Sequence, residues 1–123
     1  MDDLVEITAL GKRMHSQSFV LRGRMADSDW KLFLAEVTKE MGMTPVCEAA
    51  VWNYPIDGKG GSGMTAFQPI TESFIALDTW SSHNGAYLFI ASCRKFDATQ
   101  LFKTIRNWSL GLEDMSGSTA LRL

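Results

Sequence analysis

The stretch GMTAFQPITESFIALDTW, Gly63 to Trp80, contains two apolar segments of strand length, Met64 to Thr71 and Phe74 to Trp80. A third, Ala86 to Cys93, follows after the turn-forming residues Ser81, Ser82, Asn84 and Gly85. Short apolar runs punctuated in this way read as sequential strands. Pro69 offers no amide hydrogen to a ladder, so its segment is expected at a sheet edge or at a bulge.

Working outward, Val46 to Tyr54 lies between Pro45 and Pro55 and is rich in residues that suit a pleated, half-buried surface, which predicts another strand. Upstream, Trp30, Phe33, Leu34, Val37 and Met41 recur at helical spacing. Asp27 or Ser28 is the expected N-cap, and Gly42 ends the pattern. His15 to Arg24 carries Phe19, Val20 and Leu21 and predicts a first strand. Downstream, Asp97 is placed to cap a helix with Leu101, Phe102, Ile105 and Trp108 inward, ended by Gly111, and Ser118 to Leu123 is expected as a last strand. The order strand, helix, three or four strands, helix, strand predicts an α+β two-layer sandwich: one antiparallel-rich sheet with two helices on one face.

With 123 residues, 46% of them hydrophobic, a single domain spanning 1–123 can bury its own core. The net charge of −2, without a block of lysine or arginine, gives no reason to expect nucleic acid or an anionic membrane as partner. No apolar stretch approaches a membrane span, and the acidic start, MDDLVEITALGKR, lacks the bases of a signal peptide, so a cytoplasmic location is expected. Cys47 and Cys93 are too few for a disulfide framework, and no cysteine or histidine pair has zinc spacing, so no metal is expected. The glycine-rich PIDGKGGSG, Pro55 to Gly63, reads as a loop; Lys59 precedes its last glycines instead of following them, unlike a phosphate-binding P-loop.

Read alone, Ser73 is a turn or strand-edge serine, Cys47 and Cys93 are small buried hydrophobes, Asp78 caps a turn, and His15 and His83 are surface or strand histidines. Trp30 and Trp108 fall at core spacing, whereas Trp52 and Trp80 are better placed to wall a pocket.

The joint spacing adds more. Gly63 to Trp80 resembles, without gaps, the self-cleavage region of the small bacterial and archaeal S-adenosylmethionine decarboxylases: a glycine, a serine or threonine, a Glu-Ser pair, and a His-Thr-Trp ending. Thr65, Glu72, Ser73, Thr79 and Trp80 fall on family positions, and Cys93 lies twenty residues after Ser73, where the family keeps its catalytic cysteine. The resemblance implies that Ser73 Oγ attacks the Glu72 carbonyl, with Thr65 stabilising the oxyanion. Elimination then leaves a pyruvoyl cofactor in place of Ser73, an electron sink for decarboxylating a substrate amine, with Cys93 as proton donor. It further implies a homodimer built by sheet-edge or sheet-face contact and a role in polyamine biosynthesis.

Some family positions are changed. Phe74 and Asp78 stand where the family has histidines, the second being the elimination base, and Ser81 and Ser82 replace a proline and the ribose-holding glutamate. Tyr54 is the counterpart of the adenine-stacking aromatic, and Tyr54, Phe74 and Trp80 are the substrate-binding candidates. Two readings follow: a pyruvoyl decarboxylase acting on S-adenosylmethionine or a basic amino acid, and a non-cleaving relative that binds a ligand or regulates a dimer partner.

Overall fold

The computed structural model describes residues 14–54, 63–80 and 84–114. Strand β1, His15–Arg22, leads into helix α1, Asp27–Glu40. Four strands follow: β2 (Ala50–Tyr54), β3 (Gly63–Ile70), β4 (Ser73–Trp80) and β5 (Gly85–Ser92). A 3-10 turn, Ala98–Leu101, runs into helix α2, Phe102–Asn107, and β6, Gly111–Asp114, is the last described element. The six strands form one sheet in the order β2-β3-β4-β5-β1-β6, with every neighbouring pair antiparallel. The expected α+β sandwich is therefore observed. Ser118 to Leu123 lies outside the described residues, and the strand after the second helix is β6.

Alternation gives the sheet two different faces. Phe19, Leu21, Met64, Ile75, Leu77, Leu88 and Ile90 point to one side and are fully or almost fully buried. Against them pack Trp30, Phe33, Leu34 and Val37 of α1, and Leu101 and Ile105 at the second helix, in one continuous core. Trp30 meets Phe33 edge-on, with ring centroids 5.6 Å apart. The other face has no helix over it among the described residues and carries Trp52, Phe67, Phe74, Tyr87 and Phe89; Trp52, Tyr87 and Phe89 are exposed.

The helix ends correct several expectations. Ala26, in extended conformation, precedes α1 and accepts from the amides of Asp29 and Trp30, while Asp27 and Asp29 sit in the first turn, where they complement the helix dipole. Neither Asp27 nor Ser28 is the N-cap. At the other end Gly42 adopts a φ of +67°, its amide donates to Lys39 O, and the Met43 amide returns to Thr38 O, with Met43 buried. This is a Schellman closure, and it matches the expected glycine stop. Helix α2 closes in the same way with a serine: Ser109, at φ +56°, donates to Arg106 O, and the Leu110 amide donates to Ile105 O. Gly111 therefore opens β6 instead of ending the helix.

Asp97 caps as expected, accepting from the Thr99 amide at 2.9 Å, a bond that holds its carboxyl below the usual range. Phe102, expected inward, is exposed; Thr104 takes the buried place beside Ile105 because the 3-10 turn shifts the face. Trp108 is half-buried and donates to Glu36 Oε2 at 2.7 Å, joining the helices.

Strand β2 starts at Ala50, not at Val46. Before it, the Val46 amide donates to Pro69 O at 3.0 Å, and Pro45 forms a lone bridge with Ile70. Pro69 is thus tolerated in a strand flanked on both sides, because it lies past the end of β2's ladder, whose last pair is Ala50 with Phe67. Cys47 and Cys93 are both exposed, not buried, because one sits in the connection before β2 and the other just beyond β5. No helix among the described residues is long and apolar enough to cross a membrane.

Leu77, wholly buried at the centre of the sheet, faces the core. Leu77→Ala is expected to destabilise the fold by about 2–5 kcal/mol in urea unfolding, since the surrounding strands cannot collapse into the space.

Candidate active site

The geometry begins at a two-residue turn. Ile70 pairs with Ser73, leaving Thr71 and Glu72 as the whole connection between β3 and β4. The Thr71 amide donates to Thr44 O at 3.0 Å, and the Thr71 hydroxyl donates to Glu72 Oε2 at 2.9 Å. On the other side of β4, Ser73 pairs with Ser92 of β5. Cys93 therefore lies directly across from Glu72, and its amide donates to the Glu72 carbonyl oxygen at 2.9 Å. Ser73 is half-buried, and no described residue forms a side-chain hydrogen bond with its hydroxyl. Ser92, wholly buried, is occupied locally: its hydroxyl donates to Arg94 O at 2.7 Å and accepts from the Arg94 amide at 2.9 Å.

Thr65 and Asp78 face each other across the β3–β4 ladder, and Thr65 Oγ1 donates to Asp78 Oδ1 at 3.1 Å. They are not beside Ser73. Asp78 lies five residues further along β4, a separation of about 17 Å at strand rise. Five is an odd number, so Asp78 and Thr65 project from the open face, whereas Ser73 shares the core face with Ile75 and Leu77. Tyr54 pairs with Gly63, and Gly63 with Trp80, which puts both backbones in the row at the same far end. Phe74, next to Ser73, projects from the open face and stacks on Phe67 at 5.2 Å with the ring planes 25° apart.

The sequence-derived set thus divides into two. Glu72, Ser73, Phe74 and Cys93 gather at the turn end, and Thr65, Asp78, Tyr54 and Trp80 stand at the opposite end of the same strands. The expected approach of Thr65 and Asp78 to Ser73 does not occur within one chain. The group facing the Glu72 carbonyl is the backbone amide of Cys93, which side-chain reasoning missed, because it is placed by the β4–β5 register, in which Ser73 pairs with Ser92. Among the described residues no group of three or more histidine, cysteine or acidic side chains could hold a metal ion.

The family profile described as S-adenosylmethionine decarboxylase matches residues 26–122. Among solved structures, the adenosylmethionine decarboxylase from Aquifex aeolicus VF5 is similar, at 17% identity and a TM-score of 0.51, covering 80% of this chain and 87% of that one. No curated protein matches the chain.

The Phe67–Phe74 stack belongs to the turn end and is open to a direct energetic reading. A double-mutant cycle with Phe67→Leu and Phe74→Leu is expected to return a coupling of about 0.5–1.5 kcal/mol by chemical denaturation, the range of stacked aromatic pairs.

Proposed function

The chain belongs to the S-adenosylmethionine decarboxylase family, and from that premise we propose that it is a pyruvoyl-dependent decarboxylase of polyamine biosynthesis that cuts itself between Glu72 and Ser73 and works as a homodimer. The observation that carries this reading is the 2.9 Å hydrogen bond from the Cys93 amide to the Glu72 carbonyl oxygen. When Ser73 Oγ adds to that carbonyl carbon, negative charge develops on the oxygen already facing this donor. The hydroxyl proton passes to the Ser73 nitrogen, the C–N bond breaks, and an ester joins Glu72 to Ser73 Oγ. A base then takes the Cα proton of residue 73, and the Glu72 carboxylate departs with the C–O electrons. Water hydrolyses the resulting dehydroalanine, with release of ammonia. The residues at the turn end thus fit the group they would generate, which supplies an electron sink for loss of the substrate's carboxylate.

The base is what calls for a second copy. Asp78 of the same chain, about 17 Å along the strand, cannot reach the Cα proton of residue 73. Two sheets stacked through their open faces about a two-fold axis would bring the turn end of one chain over the Thr65–Asp78 end of the other. The exposed Trp52, Tyr87 and Phe89 give that face the apolar surface such a contact needs. Thr65, which donates to Asp78, would then orient the base, and Cys93 would return a proton to the decarboxylated product.

The rival reading is a non-cleaving, ligand-binding or regulatory relative, and it draws on the changes at Phe74 and Asp78. A carboxylate is an intrinsically weaker base than the imidazole that the family resemblance places there. Substrate choice between S-adenosylmethionine and a basic amino acid rests on Ser82, where the family's ribose-holding glutamate is missing.

Intact mass spectrometry separates the readings. Cleavage yields fragments of 72 and 51 residues from the 123, since 123 − 72 = 51, and Ser73→Ala yields only the full-length chain. A single undivided mass after long incubation rules out the enzyme.

Asp78→His is expected to raise the cutting rate about 10-fold or more by supplying a better-matched base. Asp78→Asn alone should not cut, but mixed with Ser73→Ala chains it should be cut, since each pair then holds one serine and one carboxylate in the same site; failure of the mixture would exclude the shared site.

A further inference from the structure

On the helix side of the sheet, a cavity of about 740 Å³ opens between α1 and the connection that leads into β2. Its surface is mostly apolar, from Leu32, Leu34 and Ala35 of the helix and Pro45 and Ala49 of the connection, and the exposed Ser28, Lys31 and Glu48 also line it. Leu32 stands more than half exposed on the surface of α1.

One lining residue is both polar and buried. Gln68 of β3 is only 6% exposed. Its Nε2 donates to Cys47 O and to Pro69 O, each at 2.8 Å. Both partners are carbonyl oxygens, so the nitrogen must be the atom facing them, and the orientation of the carboxamide is fixed. That leaves Oε1 as an acceptor to which no described residue donates. A buried carbonyl oxygen without a donor is costly, and native structures rarely leave one unanswered.

We propose that this cavity is a binding site for a small molecule with a compact apolar body and a single N–H or O–H donor directed at Gln68 Oε1. Its volume falls within the range of about 300–1,000 Å³ usual for ligand pockets, and mostly apolar walls with a few polar groups, of which Gln68 is the buried one here, are the ordinary makeup of such sites. The site shares no residue with the Glu72–Ser73 turn or the Thr65–Asp78 pair. It is nevertheless tied to the turn, because the connection that walls it bonds to the β3–β4 hairpin through Val46 N to Pro69 O and Thr71 N to Thr44 O.

Indole and 1-methylindole test the proposal on the intact chain, since they share an apolar body and differ in the donor. In ¹H–¹⁵N correlation spectra, indole is expected to give saturable shifts at Ala35, Cys47 and Gln68 with an affinity of about millimolar order, ordinary for so small a probe. 1-Methylindole should bind at least about 10-fold more weakly, because it leaves Oε1 unanswered. Ala35→Phe, made from an exposed helix position, should fill the cavity and remove the shifts. Equal binding by the two probes, shifts that do not saturate, shifts confined to the open sheet face, or undiminished binding to the Ala35→Phe chain would each overturn the assignment. The comparison of the two probes requires no variant and stands if Ala35→Phe fails to fold.

Discussion

The register of the β3–β4–β5 ladder is the constraint on which the rest depends. A connection of only two residues, Thr71 and Glu72, pairs Ile70 with Ser73, and every later pair follows from it: Thr65 with Asp78, Gly63 with Trp80. On the other side, the pairing of Ser73 with Ser92 brings the Cys93 amide to the Glu72 carbonyl. Because side chains alternate, a slip of one residue would turn Ile75 and Leu77 out to the open face and bring Phe74 and Asp78 into the core. Burying Asp78 among the side chains of α1 would be prohibitive, so core formation and placement of the site are selected together.

The same alternation explains why the two faces are so unlike. One face meets α1 and α2 and is filled by aliphatic side chains and Phe19. The other bears a stacked Phe67–Phe74 pair, with Trp52, Tyr87 and Phe89 exposed. A sheet with one face packed on helices is enough for a core, and on the open face the Phe67–Phe74 stack is an aromatic contact that stabilises the single chain, while Trp52, Tyr87 and Phe89 are left exposed. Exposed aromatic surface of this kind suits a contact, and the division of the candidate site between two ends of the hairpin is the feature that the proposed face-to-face contact between copies would resolve.

Much of this was legible in the sequence wherever a periodic pattern met a chemical punctuation mark. The apolar period of α1 and the glycine at 42 located that helix, and the turn residues around Ser81 to Gly85 separated β4 from β5. Where the punctuation was supplied by an unexpected residue, the reading went astray. Ser109 holds the left-handed position that a glycine was expected to take, and the 3-10 turn at Ala98–Leu101 rotated Phe102 outward and Thr104 inward. The candidate site residues rest on spacing, and spacing says nothing of which face or which end of a strand a residue occupies. Ser73 and Asp78 are five apart in sequence, and only the extended backbone turns that number into opposite faces and a long separation. A backbone donor such as the Cys93 amide carries no side-chain signature at all.

The position of the Glu72–Ser73 bond also bears on what a cut would leave behind. The residues up to 72 supply β1, α1, β2 and β3, and those from 73 onward supply β4, β5, α2 and β6. In the sheet these do not form two separate blocks: β1 lies between β5 and β6, so a strand from the first portion is inserted among those of the second. Parting the two portions would mean breaking the β3–β4, β5–β1 and β1–β6 ladders at once and opening the core beneath them. The backbone can therefore be severed at this turn while the β3–β4, β5–β1 and β1–β6 ladders still hold the two portions together. A tight turn between two inner strands lets residue 73 become a chain terminus while remaining fixed, and a reactive group built there would be held by the sheet on both sides.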